Sequence, residues 1–323
     1  MSRLVEGYVL NSYGAVRYLH HAVASALTIR RHDPYRPIAI YCSKKHQAEL
    51  ERYGIDALFE VVEVLPDANQ SLTGFKHHLH RFMPFDRNLY ADSDIVWCRD
   101  PEPLWQQFAA HGFTITGNER ADFWFGGPKS VQVIFDIILN RRGRTLKRFG
   151  LTHLPRVQSG LMFAQDRELT RRVCERAAWF LDHRHLTHFR SRLDEYGRSL
   201  ESCEWSLAMA MSEMDIPVTP WLQAHNSPQL DFIEPMTSFD PDFEHVSCYY
   251  PCDRFVYSFR GFPIEGIRKF LMGLVSKFPG KGDYLYVTPF ALHFGWIHHK
   301  QPFYEFSERT WERLARREAV GVA

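Results

Sequence analysis

The chain has 323 residues, 45% hydrophobic and 15% aromatic, which is ample for a packed globular core. Its 39 basic and 38 acidic side chains leave a net charge of +1, so no global field draws it to nucleic acid, and no nucleic-acid partner is expected. The opening MSRLVEGYVLNSYG has only a brief apolar run without a small-residue cleavage site, and no later segment approaches the roughly 20 apolar residues that span a bilayer, so the expected location is cytoplasmic, with at most peripheral contact to the inner face of a membrane.

Leu4 to Leu10 predicts a strand, Val16, Leu19, Val23, Ala26 and Leu27 follow at helical spacing, and Pro37 to Cys42 predicts a second strand, completing a β-α-β unit. A helix from Lys45 to Tyr53, a strand from Phe59 to Leu65, a helix around Lys76 to Phe82 and a strand from Asn88 to Ala91 continue the alternation. This order predicts an α/β fold with a Rossmann-like, mostly parallel central sheet and helices on both faces. Beyond Pro103 the expectations are a strand at Phe113 to Thr116, a helix at Val131 to Arg141, a strand at Gly160 to Phe163, and helices near 166 to 182 and 204 to 214. Ser307 to Glu318 predicts a short charged helix packed outside the core. Without internal repeats or a Pro/Ser-rich linker, one domain over 1–302 and a helical tail over 303–323 is the simplest organisation. The six cysteines lack C-x-x-C spacing, so neither a disulfide framework nor a zinc site is indicated.

The most informative stretch is RFMPFDRNLYADSDIVWCRDPEPLW, residues 81–105, which delivers Asp92 and Asp94 at the end of an apolar strand. Residues i and i+2 of an extended segment point the same way, so both carboxylates reach one cation. A hard divalent ion such as Mg²⁺ or Mn²⁺ takes such oxygen ligands and bridges them to substrate phosphates. The plainer alternative is a turn held by Asx-type hydrogen bonds. In parallel sheets ligands bind beyond the carboxyl ends of the strands, where this pair would sit.

Lys76, then PFDRNLYADSDI, then DPEPLW resembles the donor-site signature of GT-A glycosyltransferases, in particular family 8 and related retaining nucleotide-sugar transferases. The likeness in order and spacing covers residues 1–110, including the first β-α-β, YLHHAVASALTIRRHDPYRPIAIYC. It implies a GT-A fold, with residues 1–110 as the nucleotide-sugar donor half and 111–302 as the acceptor and metal-completing half. It also implies that Asp92 touches ribose and metal, with Ser93 beside it at the nucleotide, and that Asp94 ligates the metal bridging the diphosphate. Near the C-terminus, YVTPFALHFGWIHHKQPF places His293, Gly295 and Lys300 like that family's third metal ligand and its diphosphate-contacting glycine and lysine. The offsets from the histidine are two and seven rather than that family's three and six, which leaves Lys300, His298 or His299 as the residue facing the phosphates. A carboxylate and imidazole set suits Mn²⁺ better than Mg²⁺.

Other residues carry two readings each. Lys76 is either a positive charge beside the donor or a solvated helix lysine, and Tyr13 either stacks on the nucleotide base or is an ordinary loop tyrosine. QSGLMF, residues 158–163, resembles the family's N-S-G-x-M strand, so that Gln158 would bond a sugar hydroxyl and Gly160 would admit a ring; the alternative is a plain central strand. ADFWFGGPKS, with Gly126 and Gly127, is similar to a glycine pair in the acceptor half of blood-group-type transferases. Glu201 and Glu204 open a helix, where the backbone dipole alone accounts for carboxylates; in catalysis Glu204 would support an oxocarbenium-like transition state or act as nucleophile. Arg141, Arg142, Arg144, Lys147 and Arg148 form a basic cluster in an expected loop, solvated or facing an anionic acceptor or a membrane surface. His183, His185 and His188 fit an exposed polar loop.

The resulting expectation is a metal-dependent hexosyltransferase that uses a nucleoside diphosphate sugar, foremost a UDP-sugar, and retains configuration because family 8 does. Its acceptor would be a carbohydrate, a lipid-linked group or a small molecule. Asp92-Ser93-Asp94-Ile95-Val96 also satisfies the motif of haloacid-dehalogenase-type Mg²⁺ phosphatases, although about ninety residues of β-α-β precede it and Gly282-Asp283 lacks a paired acid. A non-catalytic nucleotide- or carbohydrate-binding protein of the same fold is the third possibility.

Overall fold

The computed structural model describes residues 4–122, 125–126, 131–193, 201–249, 264–275, 286–295 and 300–321. Strands β1 (Glu6–Ser12), β2 (Ile38–Cys42), β3 (Val61–Val64) and β4 (Arg87–Ala91) alternate with helices α1 (Arg17–His32), α2 (Lys44–Arg52) and α3 (Leu72–Lys76). After β5 (Ile95–Trp97) come α4 (Glu102–Phe108), β6 (Phe113–Asn118), α5 (Gln132–Ile138), α6 (Arg141–Phe149) and β7 (Arg156–Ala164). Then follow α7 (Arg167–Asp182), α8 (Glu204–Glu213), β8 (Thr219–Pro220), β9 (Gln229–Asp231), β10 (Thr237–Phe239) and β11 (Val246–Cys248). Helix α9 (Glu265–Val275), β12 (Ala291–His293) and α10 (Gln301–Gly321) close the chain.

The central sheet has seven strands in the order β3-β2-β1-β4-β7-β6-β8. All its pairings are parallel except those of β7, which runs antiparallel to both β4 and β6. Its inner strands are buried on both faces, which is why each carries an unbroken apolar stretch, Tyr8–Leu10 in β1, Leu89–Ala91 in β4 and Leu161–Ala164 in β7. Successive residues point to opposite sides: Tyr8, Leu10 and Leu89 face a core with α1, α2 and α4, whereas Val9 and Tyr90 face one with α3, α7 and α8. Of the predicted stripe, α1 buries Leu19, Val23 and Ala26, joined by Ala22 and Ile29; Leu27 is half-buried, and Val16 lies before the helix at 36% exposure. The expected α/β architecture, a mostly parallel sheet covered on both faces, is therefore what the chain forms.

Several local expectations are corrected. The helix predicted around Lys76 to Phe82 is two short pieces: α3 ends at Lys76 and a 3₁₀ turn covers Leu79–Arg81. The helix predicted from Val131 to Arg141 breaks at Asn140, whose φ of 46° is left-handed. The expected basic loop at 141–148 is instead the helix α6, rich in the good helix formers Arg, Leu and Lys and ended by Gly150 at φ 66°. The charged helix at the C-terminus does not lie outside the core: α10 starts at Gln301 and buries Phe303 and Phe306, with Phe294 and Phe303 ring centroids 5.0 Å apart. Further along, Trp311 stacks on His20 of α1 at 4.3 Å. Each of the five described cysteines is a buried thiol, and among the described residues no helix is long and apolar enough to cross a membrane.

Candidate metal and nucleotide site

A second sheet, in the order β5-β12-β9, meets the central one at the Asp92-Ser93-Asp94 segment. Asp92 N–H still donates to Gly160 O of β7 at 2.9 Å, while Asp94 O accepts from Phe294 N–H, just after β12, at 2.9 Å. The chain thus leaves one sheet and joins the other across these residues, with Ser93 and Asp94 in a turn. The two carboxylates do not converge through the alternation of one strand. They converge because the chain changes sheets between them. β12 runs antiparallel to β5 with His293 opposite Ile95, which delivers the imidazole to the same place. Ligand atoms of Asp92, Asp94 and His293 all lie within 4.8 Å of one another.

Lys76 is not a solvated helix lysine. At 1% exposure it sits over the Tyr90 ring, its ammonium 2.8 Å from Asp92 Oδ1, and donates to Ser159 O at 2.9 Å and Ser159 Oγ at 3.0 Å. Burial disfavours its charge, but the charge and hydrogen bond of Asp92, together with Cys203 and Glu204, offset that and raise the pKa above the ordinary lysine value. Tyr90 donates its hydroxyl to the same carboxylate at 2.5 Å. Lys300 does reach the site, donating to Asp94 Oδ2 at 2.6 Å; His298 and His299 lie outside the described residues. Burial opposes ionisation of Asp94, yet Lys300 and His293 hold its carboxyl well below the usual carboxylate range.

His293 Nε2 faces Asp94 Oδ1 at 3.5 Å and Asp92 Oδ2 at 3.9 Å, while Nδ1 lies 2.9 Å from Asp231 Oδ1. Burial disfavours the charged ring, but the hydrogen bonds and charges of Asp231 and Asp94 prevail and push its pKa up to about 10. Gln158 donates its amide to the same Asp231 oxygen and lies 2.9 Å from Nδ1, and Gln229 donates to Gln158 Oε1. Gln158 is therefore tied into the layer behind His293. The space beside Gly160 is also taken, since a Cβ there would stand 2.9 Å from Gln229 Oε1, so the glycine admits the glutamine rather than a sugar ring. Asp231 and Gln229, both almost fully buried, were missed by sequence reasoning. Their signal was present: in Gln229-Leu230-Asp231 the polar residues alternate with an apolar one on a strand, so both face Gln158.

The donor set fits a divalent ion. Two carboxylates and one imidazole converge, and the far ring nitrogen is held by a buried carboxylate, the usual outer support of a metal-binding histidine.

The remaining predicted residues fall into groups. Tyr13, half-buried in the β1–α1 loop, feels burial and the nearby charge of Asp92, which raise its pKa well above the ordinary tyrosine value. Ser93 is half-buried within the aspartate turn. Glu204 opens α8 half-buried, without a hydrogen bond or ion pair among the described residues. Glu201 is structural: its carboxylate accepts from Arg184, Ser191 and the Arg192 backbone N–H, closing the 184–192 segment. His188 is not part of an exposed polar loop; it bonds Thr145 of α6 at 3.0 Å, and burial brings its pKa down to about 4. His183 stacks on Trp179 at 4.0 Å. Gly126 has φ 62° and packs against Phe189, whereas Gly127 and Gly282-Asp283 lie outside the described residues.

No protein-family profile matches the chain, and no curated protein does. Among solved structures it is similar to the galactosyltransferase LgtC in complex with donor and acceptor sugar analogues, at 10% identity and TM-score 0.47, over 96% of this chain and 95% of that one. It is also similar to mouse xyloside xylosyltransferase 1, at 12% identity and TM-score 0.46 over 88% and 97% of the two chains. A third is the glycosyltransferase GlyE of Streptococcus pneumoniae TIGR4, at 12% identity and TM-score 0.48 over 98% and 64%. Likeness at this level leaves the chemistry to be read from the site itself.

Proposed function

We propose that this chain is a metal-dependent GT-A glycosyltransferase that moves a sugar from a nucleoside diphosphate sugar, foremost a UDP-sugar, to a carbohydrate, lipid-linked or small-molecule acceptor, with retention. What supports this is the convergence of Asp92, Asp94 and His293 at the carboxyl end of β4, beside Tyr13 at the end of β1, with an ammonium on each aspartate. That edge is where parallel sheets bind nucleotides. Residues 1–110 would form the donor half, and 111–302 the acceptor half that supplies His293.

Asp92, Asp94 and His293 would hold Mn²⁺ or Mg²⁺, which when bound supplies Lewis-acid stabilisation of the departing diphosphate. Lys76 fixes Asp92, and Asp231 with Gln158 fixes the imidazole, so the three donors are oriented before any ligand arrives. Lys300, partly exposed, can turn from Asp94 towards a phosphate oxygen. Glu204 is the candidate for stabilising positive charge on the sugar ring, and Gln158 contributes through the imidazole layer.

The test is a thermal-shift panel of nucleotide sugars with and without Mn²⁺, followed by transfer assays with Asp94→Asn. A donor that binds raises the apparent melting temperature in proportion to RT ln(1 + [L]/Kd). Stabilisation that needs both Mn²⁺ and one nucleotide sugar, and turnover that falls about a thousandfold in Asp94→Asn while the fold persists, is the expected result. Wild-type transfer by Asp94→Asn would remove its assigned role, and Mn²⁺-dependent binding without hydrolysis or transfer would make the chain a binding protein instead. Phosphate release from simple esters would revive the phosphatase alternative.

A further inference from the structure

Helix α5 is inside out. Among Gln132–Ile138 the residues turned inward are Val133 and the acid Asp136, while Ile134, Phe135 and Ile138 are 54%, 57% and 71% exposed, with Ile137 beside them. A helix that merely covers a core shows the opposite arrangement. Contiguous apolar surface of this kind marks an interaction site rather than ordinary solvent-facing structure.

The next helix says what covers it. α6 follows after Leu139 and Asn140 and packs against α5, and it carries five basic residues where residues 131–150 hold a single acid, Asp136. That acid is occupied by Arg141 at 3.2 Å, and Arg142 is drawn in to the Asp122 carbonyl. Arg144 and Lys147, one turn apart, stay exposed without an ion pair among the described residues. Exposed aliphatic and aromatic side chains next to unneutralised cations match the interface of an anionic bilayer, where apolar groups enter the acyl boundary and cations meet the headgroups. A second copy on this face would offer α5 apolar surface but would bring an equally basic α6 to the same seam, with no acid in 131–150 other than Asp136 to offset it.

We infer that α5 and α6 together form a docking surface for anionic lipid membranes, independent of the chemistry at the aspartates. The experiment is flotation of the full chain with vesicles of pure phosphatidylcholine and of phosphatidylcholine containing phosphatidylglycerol. Binding to the anionic vesicles alone, weakened by salt, is expected. Arg144→Glu with Lys147→Glu should lower partitioning by more than tenfold, since each surface cation contributes about fivefold. Ile134→Ser with Ile138→Ser should release the protein while its melting temperature holds, because both side chains already face outward.

Three outcomes would overturn the inference. One is the absence of binding to either vesicle. Another is binding that survives both α5–α6 variants and is lost instead in Phe270→Glu of α9. The third is a concentration-dependent dimer, seen in sedimentation, that Ile134→Ser with Ile138→Ser converts to monomer; this would assign the face to a second copy.

Discussion

Two lysines neutralise the two aspartates of the site in different ways. Lys76 is 1% exposed and directs its donors to Asp92 and both oxygens of Ser159, deep against the central sheet. Lys300, at the head of α10, is 23% exposed and meets Asp94 where the small sheet opens. A buried ammonium with every donor engaged cannot move without stranding charge, whereas a partly solvated one exchanges partners at little cost. The central-sheet side of the site is therefore rigid, and the small-sheet side is the adaptable one.

The largest effect that separates the two sides is on stability. Lys76→Met strands Asp92 against a buried wall and should lower the unfolding free energy by about 3 kcal/mol in urea titration. A loss comparable with that of an exposed lysine would show that the rigid side is not rigid.

Acid should weaken that same side next. His77, bonded to Ser206 at 3.0 Å, is neutral when folded because burial lowers its pKa to about 4, against about 6.5 unfolded. The unfolded chain binds the proton first, so stability is complete above about pH 6.5 and falls as pH drops towards 4, by roughly 2–3 kcal/mol. Thermal melts across that range should show the decline, and His77→Gln should make it shallower, with His188 and His21, whose pKa burial also lowers to about 4, supplying the rest.

On the small-sheet side, Asp231→Asn should weaken Mn²⁺ binding by about 10- to 100-fold in calorimetry, because the outer support of the imidazole is lost. An unchanged titration would mean that β9 does not orient His293. The smallest expected stability change is that of Lys300→Met, less than that of Lys76→Met because Lys300 is the more exposed of the two. Its nucleotide affinity should drop nonetheless, which sharpens the contrast with Lys76.

The two sides also differ in how far they could be read from residues. In β1, β2 and β4 both faces are buried, so apolar runs and helical spacing located each element to within a few residues. The small sheet is built from three-residue strands contributed by positions near 95, 230 and 292, too short for alternation to locate them as strands from sequence. The i, i+2 alternation fails at Asp92 and Asp94, where the chain turns, and holds at Gln229 and Asp231. Neither reading of Lys76, a charge beside the donor or a solvated helix lysine, anticipates its burial against Asp92 and Ser159, since a lysine within an amphipathic segment has no local mark of its burial.

Composition and alternation alone determined an α/β chain with a mostly parallel sheet, and the residue types at 92, 94 and 293 determined that a hard or borderline metal could be held. Tertiary structure decided that these donors meet, that Asp231 and Gln158 brace the imidazole, and that Glu201 is committed to the 184–192 segment. The reason is physical: burial patterns are written by neighbours a few residues apart, whereas a coordination site is written by strand pairings that join residues some two hundred positions distant, and only the folded sheets set those.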